Sequence, residues 1–368
     1  MLIVPVNNLR EGMQLADNVD TTTATDYKTL LRKGTFLSSG MIDMLKEEGI
    51  KTVHIVGAGL EDAPEPDKKK DTKTQKVNAN IGKALKDLDE IFDCNEEIKE
   101  LSHTAVKKVD GIADDIINDI SGDSSFLGNQ MIALQNYDDY TYKHCLRVAM
   151  LSASVCAELG LSDAETKECV VAGLLHDIGK SNIDHDIIIK PGKLTDKEFE
   201  EIKRHPLIGY NILKNGGHYS SNILSGVLFH QEKFDGSGYP TGLAGDKIPL
   251  IARIMAVCDV FDALTSNRPY RVPWSVAETE EYILGSCGTH FDLEVTQAFL
   301  RAFNPYPIGT MVQLSDGRHG VVIRHSGNVL RPTVRIQGFG AGEEIDLMND
   351  FRFLTISIKG IYTGEYSA

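Results

Sequence analysis

A chain of 368 residues with 42% hydrophobic and 25% charged side chains can bury roughly two or three ordinary globular cores. Its net charge of -15 argues against general nucleic-acid or acidic-membrane binding, which needs a basic face. A small anionic substrate remains open, because a few local cations can outweigh the global charge.

No apolar run reaches the length of a membrane span. The amino terminus lacks the basic-then-apolar layout of a signal peptide, so a cytoplasmic location is expected. Cys94, Cys145, Cys156, Cys169, Cys258 and Cys287 are scattered without a C-x-x-C pair and read as buried thiols in a reducing compartment.

Residues 1–60 read as a small mixed domain, with strand-like runs at Val4–Val6, Met13–Leu15 and Val53–Val56. Between the last two, Ser39–Glu48 has helical spacing and a stop at Gly49. Residues 61–78, rich in Pro, Asp and Lys, are expected to form an exposed linker.

From 79 to 122 apolar residues recur at helical spacing, from Leu85, Leu88 and Ile91 to Val109, Ile112 and Ile116. This segment could join an internal bundle or pair with a second copy in a homodimer, and pattern alone does not choose. Residues 123–303 are dominated by helical periodicity. Residues 304–368 turn to short β-branched runs between glycines, at Met311–Leu314, Gly320–Ile323, Thr333–Ile336 and Phe353–Ile356.

The chemistry concentrates in 123–303. Val170–Leu175 is an apolar helical run that leads directly into His176-Asp177, and burying that pair is costly without a metal or strong hydrogen bonds. His144 opens another apolar helix, His205 sits at a helix boundary before Pro206, and His230 ends a third apolar run. Asp259 interrupts the apolar stretch Ile254–Phe261, where an unpaired carboxylate would be badly placed. Singly, each has a plain alternative, a satisfied core histidine or a buried ion pair.

Together, the four histidines and two aspartates form a nitrogen and oxygen set suited to iron, manganese or zinc rather than magnesium or calcium. A bridging Asp177 would let them hold two ions, an arrangement that serves in-line phosphoryl displacement by hydroxide.

Four strings then carry a family likeness: His176-Asp177-Ile178-Gly179-Lys180, His205 in Lys203–Pro206, Asp235-Gly236-Ser237-Gly238-Tyr239-Pro240, and Ala256–Arg271. In this order they resemble the HD-GYP family of cyclic dinucleotide phosphodiesterases over roughly residues 123–303. The resemblance implies a mainly α fold: an HD-type helical domain with a small mixed α/β N-terminal domain and a small β-rich C-terminal extension. It implies metal-dependent hydrolysis of cyclic di-GMP to the linear dinucleotide, or on to GMP, with two divalent ions, iron or manganese.

Carried over by position, His144, His176, Asp177, His205, His230 and Asp259 match metal ligands, and Lys180 matches the lysine at the scissile phosphate. Tyr239, Asp262, Arg268 and Arg271 match positions around the substrate. Asp235, Gly236, Gly238 and Pro240 match the loop that shapes it. The plain alternative for Arg268 and Arg271 is a surface ion pair.

Two positions depart from the family pattern. Gln231 stands where many relatives carry a second histidine, and Tyr140 stands where trinuclear members have glutamate; both favour two ions over three. Gln231 also supports an alternative, an adaptor that binds cyclic dinucleotide or a partner protein without turnover. A third reading keeps hydrolysis and changes the substrate to a mixed GMP–AMP cyclic dinucleotide.

Overall fold

The computed structural model describes residues 2–23, 26–56, 68–92, 97–120, 142–190, 192–266, 273–306, 308–326, 328–336 and 343–362. Two compact units emerge. One gathers residues 1–83, 128–139 and 304–368, and the other residues 84–127 and 140–303. The mainly helical class with small β-containing flanks is as expected.

In the first unit, β1 (Leu2–Pro5) pairs antiparallel with β4 (Thr52–Ile55), and β2 (Val19–Thr23) with β3 (Asp26–Leu31). Helix α1 (Ser39–Glu47) is capped by the Ser38 hydroxyl, which accepts from the Met41 amide. Leu15, Leu37, Leu45 and Val53 form its core. Met13–Leu15 contributes only isolated bridges, from Gln14 to Phe36 and from Leu15 to Ile55, and the β2–β3 hairpin was not foreseen.

The carboxy-terminal residues of this unit form a five-stranded antiparallel sheet. Its strands are β5 (Met311–Leu314), β6 (His319–Ser326), β7 (Asn328–Ile336), β8 (Glu344–Asp346) and β9 (Ile358–Ile361), in the order β8-β7-β6-β5-β9. The strand expected at Phe353–Ile356 is instead a tight turn. Phe353 closes a 3-10 turn into the core, and β9 begins at Ile358.

Helix α2 (Lys68–Phe92) begins inside the expected linker, because its Lys, Thr and Gln residues are compatible with a helix. Helix α3 (His103–Ile120) follows it. The apolar stripe of the two helices is covered within the chain: Leu85, Leu88, Ile91, Val109 and Ile112 are all buried. The internal bundle therefore takes the face that a homodimer would have used.

The second unit is organised around helical hairpins. Helices α4 (Lys143–Glu158) and α5 (Asp163–Leu175) cross closely at Gly173, where an added Cβ would lie 2.8 Å from the Ala149 Cα. A capping box between Ser162 and Glu165 starts α5. After α6 (Asp196–Ile202), α7 (His205–Gly216) and α8 (Ser221–Phe229) form the next pair. Helix α9 (Leu250–Thr265) packs on both α4 and α8, followed by α10 (Val276–Gly285) and α11 (Leu293–Ala302).

This arrangement brings helix ends together. Helices α4 and α7 begin where α5 and α8 finish, so His144, His176, His205 and His230 meet at one end of the bundle. Among the described residues, no helix is long and apolar enough to cross a membrane.

Candidate metal centre

Three of the four histidines share one local device. His176, His205 and His230 each direct Nδ1 to a carbonyl three residues earlier, at Gly173 (2.8 Å), Ile202 (2.7 Å) and Val227 (2.8 Å). A carbonyl only accepts, so Nδ1 carries the proton and Nε2 keeps its lone pair for the centre. Such a fixed tautomer is the usual state of a metal-ligating histidine.

Asp177 sits among these rings. Its Oδ1 lies 3.5 Å from His205 Nε2, while its Oδ2 lies 3.5 Å from His176 Nε2 and 4.0 Å from His144 Nε2. One carboxylate oxygen thus faces each of two ligand groups, His144 with His176 and Asp259, and His205 with His230. On the far side, His144 Nε2 is 3.0 Å from Asp259 Oδ1. Lys180 Nζ reaches Asp177 Oδ2 at 2.6 Å.

The donor set fits cations. His205 Nε2 and His230 Nε2 face each other at 3.1 Å with both Nδ1 protons already committed, an approach of two lone pairs that a shared proton or cation would relieve. His176 Nε2 and Asp177 Oδ1 are fully buried without a hydrogen-bond partner. Orphaned donor atoms of this kind call for an ion or a water.

The electrostatics agree. Desolvation pushes His205 down to about 4 and His230 well below the ordinary histidine range, so both are neutral at neutral pH and free to ligate a cation. Burial alone would raise Asp177, but Lys180 and the surrounding imidazoles hold it well below the ordinary carboxylate range. Burial also opposes charge on Lys180, and Asp177 and Asp259 overcome it and raise the lysine. His144 differs from His205 and His230. Despite desolvation, Asp259 and Asp262 lift it to about 9. An ion at its Nε2 would have to displace a proton.

Around the centre, the glycine loop folds back on its own root. The Tyr239 amide donates to the Gln231 carbonyl at 3.2 Å, and an added Cβ on Gly238 would lie 2.3 Å from the Lys233 nitrogen. Only glycine allows that approach. Asp235 Oδ1 accepts from the Ser237 amide, Gly236 has φ 84°, and a cis bond joins Tyr239 to Pro240. The Tyr239 ring stands edge-on to His205, with centroids 6.4 Å apart, and burial pushes its phenol up. This places Tyr239 and its loop beside the histidine cluster.

Residues 129–295 match the family model described as HD domain. A cyclic di-GMP phosphodiesterase of Pseudomonas aeruginosa is 41% identical over 228 residues, 61% of this chain and 55% of the relative. A cyclic di-GMP phosphodiesterase response regulator of Xanthomonas campestris is 42% identical over 172 residues, 46% of this chain and 45% of the relative. The chain is similar to HD domains over residues 129–295 and to these two phosphodiesterases.

The chain spans about half the length of these curated relatives. An HDG"Y"P protein from Bdellovibrio bacteriovorus shares the fold, with TM-score 0.52 and 18% identity over 81% of this chain and 97% of that one.

Within this site, two residues stand elsewhere than the sequence suggested. Asp262, expected beside substrate, is buried behind His144, with Oδ2 2.6 Å from His144 Nδ1 and Oδ1 2.6 Å from Arg147 Nε. Gln231, left uncertain, donates its amide to Asp259 Oδ2 at 2.9 Å and so braces a carboxylate of the centre. Arg268, Arg271 and Tyr140 lie outside the described residues.

Arg147, Ser266 and Glu232 were overlooked. Arg147 had a signal: a charge one turn after His144 in an otherwise buried helix. Glu232 is buried and accepts from the Thr241 amide and hydroxyl (both 2.8 Å) and from the Gly242 amide (3.0 Å), which ties down the far end of the loop.

Proposed function

We propose that this chain is a phosphodiesterase that uses two divalent ions, iron or manganese, to hydrolyse cyclic di-GMP to the linear dinucleotide, or on to GMP. The observation that carries the reading is Asp177, with one oxygen toward each of two histidine-bearing ligand groups. His144, His176 and Asp259 would hold one ion, His205 and His230 the other, with Asp177 between them. Bound there, the ions would supply Lewis acidity toward a phosphodiester and its attacking water.

The chain's own groups do the rest. Lys180 lies against Asp177 and stays charged, so it can take a phosphate oxygen and pass a proton to the departing ribose oxygen. Tyr239 remains protonated, so its phenol can donate to the substrate from beside His205. Arg268 and Arg271 are assigned to phosphate or guanine edges on the sequence likeness alone. Relatives that act on cyclic di-GMP support this choice of substrate.

The test is hydrolysis of cyclic di-GMP by anaerobically purified protein reconstituted with ferrous iron or manganese, run beside the mixed GMP–AMP cyclic dinucleotide and the Asp177→Ala variant. Linear dinucleotide from cyclic di-GMP, absent with the variant, is expected. Faster turnover of the mixed dinucleotide would overturn the substrate, and no turnover of either by the metal-loaded chain would overturn the enzyme.

A further inference from the structure

We propose that Arg147 and Asp262 are positioning residues that set His144 as a ligand to one ion and leave the other ion's ligands untouched. The inference rests on the paired-ion reading above. Its test reads metal binding without substrate, so either idea can fail alone.

The geometry is a two-helix ladder. Helix α4 presents His144 and Arg147 one turn apart. Helix α9 presents Asp259 and Asp262 three residues apart on one face, and Ser266 follows as the residue that ends the helix. Where the helices meet, the His144 ring spans two of these carboxylates, with Nδ1 2.6 Å from Asp262 Oδ2 and Nε2 3.0 Å from Asp259 Oδ1. The first contact holds a proton at Nδ1 and turns Nε2 toward the centre, where an ion would replace its proton.

Asp262 is in turn held on three sides. Arg147 Nε lies 2.6 Å from its Oδ1, an Arg147 terminal nitrogen lies 3.4 Å from its Oδ2, and the Ser266 hydroxyl donates to Oδ2 at 3.2 Å. Arg147 also donates to the Ser266 hydroxyl. Asp262 is 1% exposed, so a charge there is tolerable only with such a partner.

The other histidines use backbone carbonyls for the same purpose. A carbonyl belongs to the helix and cannot be removed by substitution. His144 alone of the four depends on a side chain for its orientation, and that makes its ligand group separately adjustable. An ion pair serving only to pin α4 to α9 would instead affect both ligand groups through stability.

The experiment is manganese titration of the metal-free full chain, reading free ion by electron paramagnetic resonance, for wild type, Asp262→Asn and Arg147→Lys. Thermal unfolding is followed in parallel. Asp262→Asn should weaken one class of binding about 10- to 100-fold, as expected when the group behind a ligating histidine is altered, and leave the other class unchanged.

Arg147→Lys keeps the charge and loses the fork, so it should weaken the same class by less. Equal weakening of both classes, or unchanged binding in folded variants, would overturn the assignment. Failure of both variants to fold would make the pair structural and overturn it as well.

Discussion

Gly179 lies two residues after Asp177, and its replacement by alanine should break the metal centre from within the backbone. An added Cβ would lie 2.0 Å from the His205 carbonyl oxygen and 2.6 Å from the Gly209 nitrogen. Ordinary contact begins at 3.4 Å, so the turn and the start of α7 must part by about 1.4 Å. Both obstacles are backbone, and neither can swing aside. His205 is one of them, so the parting feeds directly into the 3.5 Å separation between His205 and Asp177.

Overpacking of this kind costs about 1–3 kcal/mol or more, and a misplacement of about 1 Å in a reacting constellation costs roughly 100-fold in rate. The assay is metal content by mass spectrometry after reconstitution, together with thermal unfolding. Gly111→Ala is the control: it lies mid-helix in α3 with nothing within 4 Å of the added carbon, and should gain about 0.5–1 kcal/mol. A Gly179→Ala chain with full metal content and an unchanged midpoint would refute the reasoning.

Three further outcomes follow from the same geometry. Lys180→Ala should lower turnover about 10²–10⁴-fold with metal content intact, and parallel loss of metal would give the lysine a structural role instead. Glu232→Ala leaves the Thr241 and Gly242 amides without their acceptor, so stability should fall by about 1–3 kcal/mol and KM should rise while metal is retained. Glu280, buried in α10, is raised by desolvation from 4.5 to about 8. Between those values the folded chain holds a proton that the unfolded chain has lost, so stability should fall as pH rises across that window, by at most about 5 kcal/mol. Glu280→Gln should flatten this slope in denaturant titrations at pH 5 and 8, and an equally steep slope in the variant would place its source elsewhere.

The candidate ligand residues were legible in sequence because they are polar residues placed where burial disfavours them. His176-Asp177 after Val170–Leu175, and Asp259 inside Ile254–Phe261, are conspicuous for that reason. What holds the ligands was harder to read. The Nδ1 bonds of His176, His205 and His230 go to backbone, which carries no sequence signature. Asp262 looked like a substrate group until its contacts with His144 and Arg147 became visible across two helices.

The α2–α3 face shows a different limit. Its apolar spacing fitted an internal bundle or a second copy equally well, and only burial of residues such as Leu88 and Val109 decided between them. At the edges, turn chemistry competed with β propensity: Phe353–Ile356 alternates like a strand, yet Phe353 turns into the core.

The most direct test of the paired-ion account is to measure cyclic di-GMP hydrolysis and bound metal on the same samples as ferrous iron or manganese is added stepwise under anaerobic conditions. The account predicts linear dinucleotide only as the second equivalent of metal loads. Full turnover with one equivalent, or none with two bound, would contradict it.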